Sequence, residues 1–358
     1  MNKFVTSALA LTAASGLSFA GPGSEEWAGL DRDIENLASS FAPQGGGFAV
    51  DGFLISSYDN SSDIQVGSND LGGFSVRNAR ANLQGMVGDY GVFISFDAGS
   101  DPLGFGTLLN RLLPGSSSGS GTAALLDAYG TFSIGDQVNG QVGQFRPPFL
   151  WSSQLDEDKF VLLNRTVNGA IWAMRDTGVM FNGTFEQIGW WVSAQNGSDS
   201  VGDELAFTGR VDFDAMGTGA GTQEGAYGAS DESSLTVGVA FHDDGNLNDG
   251  AAIAGDAVFS IGAFSAQAEI VDYDQDYFGS EMTPFSVTAS YMVSPEEYEI
   301  AVRFEDLDDS DDTTVITGGV NRYVAGHDAK WGINYSTTQS DDSNLEVDVI
   351  SVGLTLSV

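Results

Sequence analysis

Residues 285–305, FSVTASYMVSPEEYEIAVRFE, decide the fold class, because apolar and polar side chains alternate on both sides of a short turn. Successive side chains of a β-strand point to opposite faces, so this alternation gives each half one apolar and one polar face. The SPEE sequence between the halves is typical of the turn of an antiparallel hairpin. One face carries Phe285, Val287, Ala289, Tyr291, Tyr298, Ile300, Val302 and Phe304, and the other carries Ser286, Thr288, Ser290, Glu299, Ala301, Arg303 and Glu305.

The same alternation recurs along the chain, for example at residues 234–241 and 330–335. A half-buried sheet of a soluble protein would also alternate in this way. Two features favour a membrane: several polar faces carry charge, glycine or hydroxyl groups, as a water-filled lumen would, and aromatic residues stand near the ends of the apolar faces. Beyond its first 20 residues the chain has no apolar stretch of about 20 residues, so a membrane form must be a closed β-barrel.

The pattern predicts an all-β fold, a transmembrane antiparallel barrel of about sixteen strands. Connections after odd-numbered strands are mostly long and polar, such as SSDIQVGSND, whereas those after even-numbered strands are mostly short, such as VGDYG. This parity is typical of outer-membrane barrels, and residues 214–232 are an even-strand connection that is too long for it. The predicted strands begin near Phe48, Phe74, Gly91, Ala123, Gln137, Thr177, Gly189, Glu204, Ser233, Gly255, Phe264, Phe285, Tyr298, Thr314, Asp328 and Leu345.

The N-terminus has the pattern of an export signal followed by a short helix. Lys3 precedes a run of apolar and small residues, and Ser18-Phe19-Ala20 forms a small-x-small cleavage site. Apolar residues from Trp27 to Phe41 then repeat at 3-4 spacing, which is typical of a helix packed on its own protein or of a short coiled coil. We therefore predict a signal peptide at 1–20, a helix with a glycine-rich linker at 21–47, and an outer-membrane barrel at 48–358.

Composition argues against several classes of function. With 13 Lys and Arg against 50 acids, the net charge of −37 argues against nucleic-acid binding. The chain has no cysteine, and its two histidines, His242 and His327, stand at predicted strand ends where we expect them to be solvated. We therefore predict no enzyme and no zinc centre. The acidic runs at 272–276, 306–312 and 341–342 suggest Ca²⁺ binding or a solvated acidic surface.

Residues 141–180 begin and end as strands but enclose about 30 residues without a strand period, which is unusual for a connection in a compact domain. Pro147 and Pro148 end the first strand because neither has a backbone donor. The apolar residues beyond them would be poorly soluble in water, so we predict that this third long loop folds into the barrel. Packing at a subunit interface is the alternative. The loop carries Arg146, Lys159, Arg165 and Arg175 beside Asp156, Glu157, Asp158 and Asp176.

Several motifs resemble the phosphate-selective (O and P) porin family. They are SVRNARANLQG at 75–85, LLDAY at 125–129, GQFRPPF at 143–149, RDTGVMFNG at 175–183 and GGVNRYVAGHDAKWGINYS at 318–336. The resemblance extends from about Phe48 to the end of the chain. It implies a sixteen-stranded outer-membrane barrel, commonly trimeric, with the third loop in the pore and with basic pore residues that select phosphate. Arg80 and Arg146 match motif positions.

We therefore expect an outer-membrane porin, a homotrimer in outer-membrane lipid, for passive diffusion of ions and small hydrophilic solutes. The scarcity of basic residues favours cation preference or weak selectivity. A phosphate- or anion-selective porin and a plugged structural or adhesive barrel with cation-binding acidic loops are the alternatives. The residues predicted to line the constriction are Arg80, Asp127, Arg146, Asp156, Glu157, Asp158, Lys159, Arg165, Arg175 and Arg303.

Overall fold

The computed structural model describes residues 47–63, 71–99, 123–135, 137–198, 204–245, 250–342 and 345–358. In these ranges the chain is mostly β-strand, and no helix is long and apolar enough to cross a membrane. The connections contain α1 (Trp151–Gln154), a 3-10 turn (Glu157–Lys159), α2 (Val167–Ile171) and α3 (Gln275–Phe278). The strands are β1 (Phe48–Asp63), β2 (Leu71–Val87), β3 (Tyr90–Asp97), β4 (Ala124–Ile134), β5 (Val138–Phe145), β6 (Asp176–Phe185), β7 (Ile188–Gln195), β8 (Ala206–Met216), β9 (Ser234–Asp244), β10 (Gly250–Ile261), β11 (Phe264–Tyr273), β12 (Phe285–Ser294), β13 (Tyr298–Asp306), β14 (Thr314–Tyr323), β15 (Ala329–Gln339) and β16 (Val347–Ser357).

The strands form one closed antiparallel barrel. Each strand pairs with its neighbours in sequence, and β1 pairs with β16, with Phe53 opposite Ser357. The predicted fold class is therefore confirmed, with sixteen strands in the described part of the chain. Observed strand starts lie within five residues of the predicted ones, and the largest difference is at β10, which begins at Gly250 and not at Gly255. The first residues of β10 are mostly glycine and alanine, which carry no clear alternation.

Burial in the strands is the reverse of that in a soluble protein. In β13, Ile300 and Val302 are 47% and 53% exposed, whereas Glu299 and Arg303 are 0% and 1% exposed. Exposed aromatic side chains such as Tyr90 stand at strand ends, beside the short turns. An apolar outer face with aromatic residues at its margins, around a polar inner face, is the organisation of a transmembrane barrel.

The connections also follow the predicted parity. Those after even-numbered strands are mostly two to five residues long. They lie on the side of the barrel where β1 begins and β16 ends. Gly88 and Glu186 have positive φ angles in such turns, as tight hairpin connections require. The exception is residues 217–233 between β8 and β9, which is the connection that the sequence marked as too long. The predicted signal peptide and N-terminal helix lie outside the described residues.

Candidate functional site

Residues 146–175, which connect β5 to β6 and are named here the β5–β6 segment, fold back on themselves. The strand ladder stops at Phe145, immediately before Arg146 and the two prolines. Phe149 then stacks on Trp172 from the far end of the segment, with ring centroids 3.6 Å apart. Between them α2 begins after Thr166, whose side chain accepts a hydrogen bond from Gly169 N. Phe149 and Trp172 are both buried, so the segment's apolar side chains pack against protein.

One side of the β5–β6 segment bonds to inward-facing side chains of β8, β11 and β13. Charged groups buried in protein need hydrogen-bond partners, and here the segment supplies them from its backbone and hydroxyl groups. The bonds are Arg210 Nη1 to Phe149 O (2.6 Å), Ser152 Oγ to Glu269 Oε2 (2.5 Å) and Val167 N to Glu305 Oε2 (2.7 Å).

The middle of the segment bonds to the inner faces of β14, β15 and β16. The bonds are Asn321 Nδ2 to Val161 O (2.5 Å), Lys330 Nζ to Phe160 O (2.5 Å) and Ser357 Oγ to Asp158 Oδ2 (2.9 Å). Leu163 packs on the inward-facing Gly332 and Gly353, and a Cβ atom added to Gly353 would lie only 2.6 Å from Leu163 Cδ2. These glycines therefore make room for the segment beside the barrel wall.

Three arginines surround Glu157 where the segment meets β2. Arg80 Nη1 lies 2.9 Å from Glu157 Oε2, Arg165 Nη2 lies 3.0 Å from Glu157 Oε1, and Arg146 Nη2 lies 3.9 Å away. Asp156 pairs with Arg80 at 3.0 Å and with Arg146 at 3.2 Å. Burial alone would raise the pKa of Glu157, but the guanidinium groups of Arg80, Arg165 and Arg146 lower it well below its ordinary value.

Glu157→Gln is expected to reduce the acid sensitivity of the barrel. Because the folded-state pKa of Glu157 lies below its ordinary value of 4.5, the carboxylate stabilises the fold above pH 4.5, and this contribution is lost as the pH falls from 4.5 toward the lowered pKa. In that window one proton changes the free energy of unfolding by about 1.4 kcal/mol per pH unit. Glutamine does not titrate, so the midpoint of thermal unfolding in detergent should fall less steeply with acid.

Glu186→Gln, at an exposed turn position between β6 and β7, is the matched control for that experiment. It removes the same charge and should keep the pH dependence of the unmodified protein. An unchanged acid slope in Glu157→Gln would show that the arginine cluster does not hold a charged carboxylate.

A cavity of about 550 Å³ lies between the β5–β6 segment and the inner faces of β2, β4 and β5. Polar and charged side chains line much of it, namely Arg77, Asn78, Gln144, Glu157, Asn164, Arg165 and Arg175. Each arginine has a carboxylate partner within 3.1 Å. Carboxylates in the wall or next to it therefore balance the positive charge of the three guanidinium groups. The pairs are Arg77 with Asp59 (2.6 Å), Arg165 with Glu157 (3.0 Å) and Arg175 with Asp127 (3.1 Å).

Residues 217–233, named here the β8–β9 segment, contact the β5–β6 segment from the opposite end of the barrel. Glu224 N donates to Lys159 O at 2.9 Å, and Glu224 Oε2 accepts from Val161 N at 3.1 Å. The same carboxylate pairs with Arg303 of β13 at 3.3 Å, where both side chains are at most 2% exposed. Glu299 Oε1 accepts from Ala226 N at 2.6 Å. The two segments and the barrel wall therefore share one buried polar network.

The structure brings together only part of the predicted constriction set. Arg80, Arg146, Asp156, Glu157 and Arg165 form one cluster, and the Arg175–Asp127 pair lies at the same cavity. Lys159 pairs with Asp158 at 2.8 Å near β16, away from this cluster. Arg303 bonds to the two segments instead, through Asn164 O and Glu224.

Arg77 and Glu224 are site residues that the sequence did not single out. Regular alternation would point Arg77 and Arg80 to opposite faces. The β1–β2 register, however, passes from Ile55 opposite Asn78 to Ser56 opposite Val76, which leaves Arg77 as a bulge residue. A bulge redirects a side chain, and here it brings Arg77 to the cavity. Glu224 lies in the polar β8–β9 segment, where no periodic pattern in the sequence marks a buried residue.

The expectation of solvated histidines is wrong. His242 and His327 are 6% and 5% exposed, because the two segments cover them. His242 Nδ1 lies 2.8 Å from Thr208 Oγ1, and its ring packs edge-on against Trp172. His327 packs against Tyr227 of the β8–β9 segment in the same edge-on manner.

The acidic runs were open to two interpretations, Ca²⁺ binding and a solvated acidic surface. Among the described residues no group of three acids and histidines could hold a metal ion. Several carboxylates of these loops accept hydrogen bonds from nearby backbone amides. Asp274 accepts from Asp276 N and Tyr277 N of α3, and Asp309 accepts from Thr313 N.

The fold defines a class: a transmembrane β-barrel with porin architecture. Solved porin structures are similar to it. The outer-membrane channel DcaP of Acinetobacter baumannii matches with a TM-score of 0.59 and 16% identity, over 88% of this chain and 99% of that one. The anion-selective porin from Comamonas acidovorans matches with a TM-score of 0.60 and 12% identity, over 87% and 100%. The Vibrio cholerae outer-membrane protein OmpT without loop L8 gives 0.58 and 10%, over 88% and 100%.

At these identities the likeness establishes the fold. No protein-family model and no curated protein matches the chain.

Proposed function

We propose that this chain forms a water-filled outer-membrane channel for passive diffusion of ions and small hydrophilic solutes, narrowed by the β5–β6 segment. The observation that carries the proposal is the cavity of about 550 Å³ between that segment and β2, β4 and β5, with its charged and polar lining. The bonds between the segment and inward-facing side chains such as Glu269 favour a place in the lumen over one at a subunit interface.

The proposed selectivity is weak, with a preference for cations. In and beside the cavity five arginines are paired with five carboxylates. These pairs leave no local excess of positive or negative charge. The net charge of −37 then favours cations at the channel entrances. The pairs involve Arg77, Arg80, Arg146, Arg165 and Arg175, and Asp59, Asp97, Asp127, Asp156 and Glu157.

An anion-selective channel, including a phosphate channel, is the second candidate. It is supported by Arg77, Arg165 and Arg175, which line the cavity, whereas Glu157 is the one carboxylate among the described lining residues. A solute in the cavity would then meet guanidinium groups, which suit planar oxyanions through paired hydrogen bonds. The sign of the reversal potential across a planar bilayer under a salt gradient distinguishes the two selectivities.

A plugged barrel is the third candidate, because the two segments meet in one buried network. Liposome swelling separates it from a channel. We expect proteoliposomes to swell in solutions of small sugars, at rates that fall as the sugar grows. Absence of both swelling and ion conductance in a folded barrel would contradict the channel and leave the structural or adhesive role.

We further propose that the chain is exported by its signal peptide to the outer membrane and assembles there as a homotrimer. The apolar outer face fits outer-membrane lipid, and the resemblance to porins supports the trimer. Chemical cross-linking in native membranes would give a band of three chains, and a band of one chain would contradict that assembly.

A further inference from the structure

A second cavity, named here the outer pocket, lies among the connections that follow odd-numbered strands and shares no lining residue with the first cavity. It has a volume of about 260 Å³ and lies between α2, the end of β11, and residues 274–284, 307–313 and 345. Its apolar wall contains Val167, Ile171, Tyr273, Phe278, Met282 and Leu307. Ligand sites are commonly apolar hollows with a few polar groups, and this volume suits a molecule of about one ring.

The charge around the outer pocket is of one sign. Asp309 and Asp311 line it, and no lysine or arginine is among its described lining residues. The connections 274–284 and 307–313 contribute three and four acids, respectively, and no basic residue. The rings of Tyr273 and Phe278 in its wall pack edge to face, with their centroids 4.7 Å apart. Carboxylates beside aromatic rings favour an organic cation over a neutral or anionic molecule.

Asn168 provides an independent indication of a ligand. It lies in the wall of the outer pocket and is only 3% exposed. Its Nδ2 donates to Pro284 O at 3.2 Å, which fixes the orientation of the amide. Its Oδ1 has no hydrogen-bond donor among the residues that the structure describes. A buried acceptor without a donor costs free energy, so a ligand N–H group at this position would remove that cost.

We infer that the outer pocket binds a small organic cation: one aromatic or aliphatic ring that carries an ammonium group. The ring packs against Tyr273, Phe278 and Leu307. The ammonium group donates to Asn168 Oδ1 and to the carboxylates of Asp309 and Asp311. An ammonium group has three donors and no acceptor, which matches a wall that offers acceptors and no basic group.

Calorimetric titration of the full chain in detergent tests the inference, with 2-phenylethylammonium as the probe and a micelle-only blank. Two probes with the same ring serve as comparisons, neutral 2-phenylethanol and anionic phenylacetate. We expect saturable binding of the ammonium probe and affinities at least about tenfold weaker for the other two, since hydrogen bonds to a charged group are lost. Equal affinity for phenylacetate, or no saturable binding of the ammonium probe, would overturn the inference.

Variants locate the site. Asp309→Asn with Asp311→Asn keeps the side-chain shape and should weaken the ammonium probe about tenfold or more. Glu296→Gln with Glu297→Gln removes the same charge at the opposite end of the barrel and should leave its affinity unchanged. Asn168→Ala should also weaken binding, and full affinity in either pocket variant would contradict the assignment. Binding needs only a folded barrel, so it tests the pocket even if the protein conducts no ions.

Discussion

Replacement of the β8–β9 segment by a short turn is expected to increase single-channel conductance severalfold. The segment contacts inward-facing side chains of β13 and β14, where Glu224 pairs with Arg303 and Tyr227 packs on Tyr323 with ring centroids 4.3 Å apart. It also fixes the β5–β6 segment, since Trp151 Nε1 donates to Gly221 O and Glu224 N donates to Lys159 O. Its removal therefore opens space directly and releases the neighbouring segment.

Asn-Gly in place of residues 217–234 suits the hairpin. These two residues form a two-residue loop that keeps Met216 opposite Leu235, as in the observed register. Planar-bilayer recordings of the purified variant give the conductance. A difference in electrophoretic mobility between heated and unheated samples shows that the barrel is folded. A folded variant with the conductance of the unmodified protein would contradict the idea that this segment obstructs the lumen.

A single substitution at Glu224 tests the same network without changing chain length. Glu224→Ala leaves the buried Arg303 guanidinium without its carboxylate, and loss of one partner of a buried pair costs about 3–5 kcal/mol. We expect a lower midpoint of thermal unfolding and frequent transitions between conductance levels. Glu232→Gln, at an exposed position of the same segment, should leave both properties unchanged.

The second large effect is expected in ion selectivity, on replacement of Arg77 and Arg175 by glutamine. Both guanidinium groups line the cavity, and their loss leaves Asp59 and Asp127 without a compensating charge. A unit charge about 4 Å away contributes about 1 kcal/mol in water, with opposite sign for potassium and chloride, so two charges set an unscreened upper limit of about 1000-fold on the permeability ratio. Salt screens much of this, and we expect the potassium-to-chloride permeability ratio to rise at least about tenfold. Reversal potentials under a salt gradient measure that ratio.

The carboxylate partners provide the opposite change. Asp59→Asn with Asp127→Asn leaves the arginines uncompensated and should move the reversal potential toward chloride. Arg322→Gln is the control, since Arg322 is exposed and stacks over Tyr298 at 5.9 Å, away from the cavity. If the two double variants move the reversal potential in the same direction, or not at all, the cavity is not on the ion path.

Alternation of side chains was sufficient to predict the barrel, because the two-residue period of a strand is a local property. The hairpin of β12 and β13 illustrates this, since its exposed and buried residues are those that the pattern assigned to opposite faces. The β5–β6 segment was predictable for a related reason. Its apolar residues and its two prolines are incompatible both with a strand and with free solution.

The charge network was only partly predictable. Arg80, Arg146, Arg165 and Glu157 come together as a cluster, but the place of Arg77 depends on a bulge in β2 that no local pattern indicates. The burial of His242 and His327 depends on contacts with distant segments. Such contacts follow from three-dimensional packing and leave no period in the sequence.

The sequence by itself determined the strand periodicity, the closed sixteen-stranded barrel and the outward apolar face, since these follow from local side-chain order and from the need to satisfy every backbone group in lipid. Only the tertiary structure decided which charges meet. Glu224 contacts Arg303, 79 residues away, and Asn168 meets Pro284, 116 residues away. Their pairing depends on how two long connections fold against one wall, where burial makes an unpaired polar group costly and so favours a partner for most of them.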